Sequence, residues 1–155
     1  MTWTLERIRE LVHNKIEENL HLDYKRLLSL NDTKEISKDI SAFANSDGGT
    51  VIYGVIEKNN KPEQIDNSSE LLNKSKEWLE NIITSNINPI IDAIVITPIN
   101  KPDSGNQLFV IDILKVRERH TWRTTIDITN VSTLNLNQCN IMKLRISETG
   151  QQSLM

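Results

Sequence analysis

The residues with chemical potential in this chain are Glu18, Asp23 and Lys25, which precede a helical stretch, and Glu57, which closes the strand after it. Magnesium and manganese prefer hard oxygen ligands, and carboxylates meeting at a strand end can supply them for phosphodiester chemistry. Asp23 and Lys25 stand two apart on an alternating segment and so share a face. An acid there would hold a metal while the ammonium steadies a developing negative charge. The same spacing also describes a solvated sheet face with a plain ion pair. Neither reading is decided by the spacing.

A second feature is Asp47-Gly48-Gly49-Thr50. A nucleotide cradle places its glycines between a strand and a following helix, whereas here a helix runs into a strand and no Gly-Lys-Ser/Thr follows. A helix C-cap with a tight turn is the simpler expectation. Lys25, Arg26, Lys34 and Lys38 form a candidate basic patch near that turn, diluted by Glu35 and Asp39. His13, His21 and His120 show no metal-ligand spacing, and a lone Cys139 can form no internal disulfide.

Composition frames these residues. The chain has 155 residues, 37% of them apolar, with 18 Lys+Arg against 21 Asp+Glu and a net charge of −3. That describes one ordinary globular domain rather than a disordered or low-complexity chain. The acidic balance argues against a broadly basic nucleic-acid binder, so any basic surface must be local. No apolar run approaches the roughly 18 residues needed to cross a bilayer. The first residues lack both a basic and an apolar signal region, which gives an expectation of a cytoplasmic protein with no membrane partner.

The elements that must position the site follow from periodicity. Leu5, Ile8, Leu11, Val12 and Ile16 predict a helix over roughly 4 to 17 with Thr4 as N-cap. Leu20 to Lys25 alternates and predicts a strand with one polar face. Asn31-Asp32-Thr33 caps a second helix with an Ile36, Ile40, Phe43, Ala44 stripe running to about Asn45. Val51 to Ile56 predicts a strand buried on both faces, followed by a polar loop from Lys58 to Ser68. A third helix is expected over about Ser69 to Ser85, then strands at Ile90–Ile96 and Leu108–Leu114 joined across Pro98 to Asn106. The order α-β-α-β-α-β-β gives an α/β (α+β) domain with a mixed sheet.

Glu18-Asn-Leu-His-Leu-Asp23-Tyr-Lys25, followed by Lys38-Asp-Ile-Ser-Ala-Phe-Ala-Asn45-Ser-Asp47-Gly48-Gly49-Thr-Val-Ile-Tyr-Gly-Val55, resembles the Schlafen-type AlbA-like domain family. The second block carries most of the resemblance, which covers about residues 4 to 120. It implies a nucleic-acid-binding α/β domain, often described as a DNA-binding module of bacterial regulators and sometimes as ATP-binding. Its animal relatives add RNA cleavage. The resemblance makes Glu18, Asp23 and Glu57 the metal-ligating trio for Mg2+ or Mn2+, with Lys25 completing the catalytic set. Asp at position 23 replaces the more usual Glu, a shorter reach. Lys25, Arg26, Lys34, Lys38 and Asn45 become the nucleic-acid-binding candidates, DNA or RNA, with Asp47, Gly48 and Gly49 as the turn. Schlafen nucleases pair two such lobes, and a homodimer would supply the second.

After Thr121 the resemblance calls for an aromatic-basic Tyr-Tyr-Lys-Arg strand, but the chain reads Thr-Ile-Asp-Ile-Thr-Asn-Val-Ser. Back-translated from the third base of the Ile126 codon, the same nucleotides force Arg and then allow Tyr, Tyr, Lys, Arg, a hydrophobic residue, Asn and Phe. The expectation is a domain over 1–120 and an atypical tail over 121–155, produced by a frameshift near residues 121 to 125. The alternative is that the family varies here. Sequencing the coding DNA separates the two.

Overall fold

The computed structural model describes residues 2–68, 74–88, 90–91, 93–102, 106–115 and 123–124. Helix α1 spans Leu5–His13, with the Thr4 hydroxyl accepting the Arg7 N–H at 3.2 Å and Leu5 and Ile8 buried. It ends four residues before the expected limit, because Lys15 adopts φ 49° and cannot continue a right-handed helix. Ile16 therefore leaves the apolar stripe and is 41% exposed.

Strand β1 is Leu22–Lys25, and a 3-10 turn at Leu27–Asn31 follows that the polar-apolar pattern did not announce. Its Leu27 and Leu30 are nonetheless fully buried. Asp32 then caps α2, Thr33–Ala44, by accepting the N–H groups of Lys34 and Glu35. Ile36, Ile40 and Ala44 of α2 enter the core as the periodicity predicts.

The Val51–Ile56 run is two strands rather than one: β2, Gly49–Tyr53, and β3, Val55–Lys58, separated at Gly54 with φ 117°. The polar segment read as a loop contains β4, Lys61–Ile65, which pairs with β3 across a two-residue turn. Asn59 and Asn60, at φ 55° and 61°, supply that turn, since asparagine tolerates the left-handed conformation it demands. A register shift between Ile56 and Glu57 marks a bulge, with Pro62 opposite Glu57, where a missing ladder hydrogen bond costs least.

Helix α3, Lys76–Asn86, begins at Ser75, whose hydroxyl accepts the Trp78 N–H. The expected start of this helix at 69–73 lies outside the described residues. Short strands β5, Ile87–Asn88, and β8, Arg123–Thr124, pair antiparallel. Strand β6 runs Ile94–Asn100 and β7 runs Gln107–Ile113, each displaced from its expected bounds. β6 continues through Pro98 because it is an edge strand. The bonds Leu114 N–H to Ala93 and Lys101 N–H to Asn106 turn the odd-numbered backbone groups toward β7, so the missing Pro98 N–H faces outward. The loop at 103–105 and, apart from 123–124, the tail lie outside the described residues.

The main sheet has order β1-β2-β7-β6, with β1 and β2 parallel and the other neighbours antiparallel. It is a mixed α+β sheet. Tyr24, Thr50 and Asp112 point to one face, where Trp3 donates its indole N–H to Asp112 at 2.7 Å and Tyr24 donates its hydroxyl to the Ile16 carbonyl at 3.0 Å. Thr50 donates to the other Asp112 oxygen, which pins the N-terminal segment across β2 and β7. Asp23, Lys25 and Tyr53 point to the opposite face, toward α2.

Candidate functional site

β1 is the open edge of the sheet, and its satisfaction builds the site. The bonds Thr50 N–H to His21 and Gly54 N–H to Lys25 turn odd-numbered backbone groups of β1 toward β2. Leu22 and Tyr24 therefore face outward. The segment before the strand covers them: Asn19 exchanges both backbone bonds with Leu22, and the Glu18 carboxylate accepts the Tyr24 N–H at 2.9 Å. Glu18 is thus fixed at the strand edge by an otherwise orphaned donor.

Glu18 and Asp23 come into hydrogen-bond contact there, and the Lys25 ammonium pairs with Asp23 at 2.6 Å. Desolvation pushes the Glu18 carboxyl up to about 7, opposed by the Tyr24 N–H and reinforced by the bond to Asp23 and the charges of Asp23 and Glu57. Burial alone would lower Lys25, but its bond to Asp23 and the surrounding acids raise it above its ordinary value. Glu57 reaches Glu18 only through its charge. Its carboxylate accepts the Asn60 N–H at 3.1 Å within its own hairpin.

The trio proposed as metal ligands does not fit an ion as it stands. Among the described residues no three His, Cys, Asp or Glu side chains group closely enough to hold one. Glu18 and Asp23 instead stand in hydrogen-bond contact with each other, which raises the Glu18 carboxyl.

Two groups that sequence reasoning passed over stand behind Lys25. Asp39 on α2 is raised to about 6, first by burial, with Lys25 pulling it down and Asp23 and Glu35 pushing it up. The Tyr53 hydroxyl is fully buried with no hydrogen-bond partner and is raised well above its usual range by burial and then by Asp39. Asp39 carried a signal, a carboxylate one position before the buried Ile40, but on sequence it read only as diluting the basic patch.

The basic candidates lie on consecutive elements of the chain. Lys25 is on β1, Arg26 precedes the 3-10 turn, and Lys34 and Lys38 are on α2. Lys38 pairs with Glu35 at 3.3 Å, whereas Arg26 and Lys34 are exposed and have no ion pair among the described residues. Asn45 is the C-cap of α2.

The glycine turn is tightly packed. Gly48 at φ 78° donates its N–H to Phe43, and its carbonyl accepts the His21 Nδ1–H at 3.0 Å. The Thr50 N–H is bonded to His21, and Asp47 pairs with Lys115 at 2.9 Å. These amides close the protein on itself.

Raised acids give a pH dependence of known sign. Glu18 ordinarily titrates near 4.5 and here near 7, so its contribution to stability is fully present below 4.5 and lost as pH rises through 7. Asp39 acts in the same direction, between 3.8 and about 6. Urea unfolding should therefore show higher stability near about pH 5 than near about pH 8. Glu18→Gln should remove roughly 1 kcal/mol of that difference, a figure reduced for solvent screening. An unchanged pH slope in the variant would contradict the assignment.

The Schlafen, AlbA_2 family matches residues 18–142, and the chain belongs to that family. Membership associates the chain with a nucleic-acid-related function. No curated protein matches it. Among solved structures it is similar to the DIP2311 protein of Corynebacterium diphtheriae, at 15% identity and a TM-score of 0.43, over 78% of this chain. This chain covers 23% of the length of that one. No helix among the described residues is long and apolar enough to cross a membrane.

Proposed function

We propose that this chain is a nucleic-acid-binding AlbA-like domain, with the edge formed by β1, the 3-10 turn and α2 facing the phosphates. The observation that supports it most is the grouping of Lys25, Arg26, Lys34 and Lys38 on those consecutive elements, two of them without an ion pair among the described residues. Its finer form is a DNA-binding module of a bacterial-type transcriptional regulator. Few cations take part, so binding is weak and its salt dependence is shallow. Anisotropy of short labelled DNA and RNA should show affinity falling roughly tenfold between about 50 and about 200 mM salt, with the dependence shallower in an Arg26→Ala, Lys34→Ala double variant. No binding at the lowest salt rejects the proposal.

A second reading, RNA cleavage, is favoured by one observation: the Glu18 and Asp23 carboxyls meet beside the Lys25 ammonium, a set able to move a proton and steady negative charge. Glu57 is not grouped with these two acids to hold an ion among the described residues. Incubation with tRNA and manganese, beside a Glu18→Ala, Asp23→Ala double variant, tests it. Equal products from both proteins remove this reading. The frameshifted tail remains a separate proposal, decided by the coding DNA.

A further inference from the structure

The β3–β4 hairpin belongs to a different sheet from β1, yet it meets the acid cluster through one residue. Asn60 accepts the Glu18 N–H on its carbonyl at 2.9 Å and donates its own N–H to the Glu57 carboxylate at 3.1 Å. One backbone unit is thus bonded to the main chain of one acid and the side chain of another. Beside it, Lys61 pairs with Glu17 at 2.8 Å, a second tie between the hairpin tip and the segment that covers β1. The bulge at Glu57 turns that side chain relative to its strand.

This geometry depends on the turn. Asn60 sits at φ 61° and Asn59 at φ 55°, and both must be left-handed for the chain to reverse in two residues. A β-branched residue rejects that conformation, whereas glycine adopts it freely.

We propose that Asn60 is a positioning residue whose backbone, held in a left-handed turn, holds Glu18 in place beside Asp23. The inference deepens the cleavage reading and rests on it for its functional consequence. The asparagine side chain is incidental and the turn conformation is what matters, so the variants are Asn60→Gly, which keeps the turn, and Asn60→Val, which does not.

The experiment measures amide hydrogen exchange at Glu18 and manganese-supported tRNA cleavage in the full chain for the wild type and both variants. Expected is wild-type exchange and cleavage in Asn60→Gly, with Glu18 exchange accelerated at least about tenfold and cleavage reduced by a similar factor in Asn60→Val. Unchanged Glu18 exchange in Asn60→Val overturns the inference. So does lost protection with undiminished cleavage, or failure of the glycine variant to match the wild type. A wild type that cleaves nothing removes the cleavage reading alone, and the Glu18 exchange then decides whether the Asn60 turn holds Glu18 in place.

Discussion

Asp66→Ala should lower the unfolding free energy by about 3 kcal/mol and the melting temperature by roughly 10 °C. Asp66 is buried in the segment after β4, and its two carboxylate oxygens accept the N–H groups of Leu27 and Ser68 at 2.9 Å each. Its own N–H donates to Gly54, and its carbonyl accepts the buried Lys101 ammonium at 2.6 Å. One residue therefore ties the start of the 3-10 turn, the β2–β3 hinge and the end of β6. Alanine leaves the Leu27 donor buried without an acceptor and takes a negative charge from beside Lys101. Each is costly in a low-dielectric interior. Burial alone would raise the Asp66 carboxyl, but the Ser68 and Leu27 donors and the Lys101 charge hold it below the ordinary carboxylate range. Its stabilisation is accordingly present above 3.8 and lost as pH falls through the lower native value. Asp66→Asn retains one accepting oxygen and should cost about half as much. Chemical unfolding at neutral pH checks both, and a loss under about 1 kcal/mol for alanine would refute the clamp.

How far the sequence reaches can be judged from these same residues. The stripe Ile36, Ile40, Ala44 and the Asp32 cap follow from spacing and side-chain chemistry, and both are found. Gly48 was legible for the same reason, since a helix end that turns through φ 78° favours glycine. The β3–β4 hairpin was not legible. Its apolar content is sparse, and its decisive signal, two asparagines in the left-handed region, is shared with ordinary polar loops. Helix α1 was overextended because Ile16 keeps the period even though Lys15 has left the helix.

The site shows the same division. That Asp23 and Lys25 share a face follows from alternation, and their 2.6 Å pairing is the plain consequence. The bonds that hold Glu18 to Tyr24 and Asn60 come from an edge strand that needs its outward groups satisfied, a property of the assembled sheet. Contacts such as Trp3 to Asp112 or Asp66 to Leu27 join residues far apart in the chain and leave no periodic trace.

Gly54→Ala should lower the unfolding free energy by about 4 kcal/mol, from roughly 1 to 3 of backbone strain and a comparable amount of overpacking. The strain arises because φ is 117°, a region that residues with a Cβ rarely occupy. The overpacking arises because a Cβ at Gly54 would fall on the Leu108 side chain, which is 0% exposed and has nowhere to retreat. The consequence extends to the candidate site. Gly54 donates its N–H to the Lys25 carbonyl at 2.7 Å and accepts from Asp66 at 2.8 Å, so the hinge that separates β2 from β3 also fixes the backbone beneath the Lys25–Asp23 pair. Leu108→Ala relieves the steric part and leaves the strain. In that background Gly54→Ala should therefore cost about 1 to 2 kcal/mol less than in the wild type, a coupling that a double-mutant cycle reads directly. Additive losses would mean that Leu108 is not the obstacle. A stable Gly54→Ala protein with wild-type nucleic-acid affinity would show that the hinge neither strains the backbone nor holds Lys25.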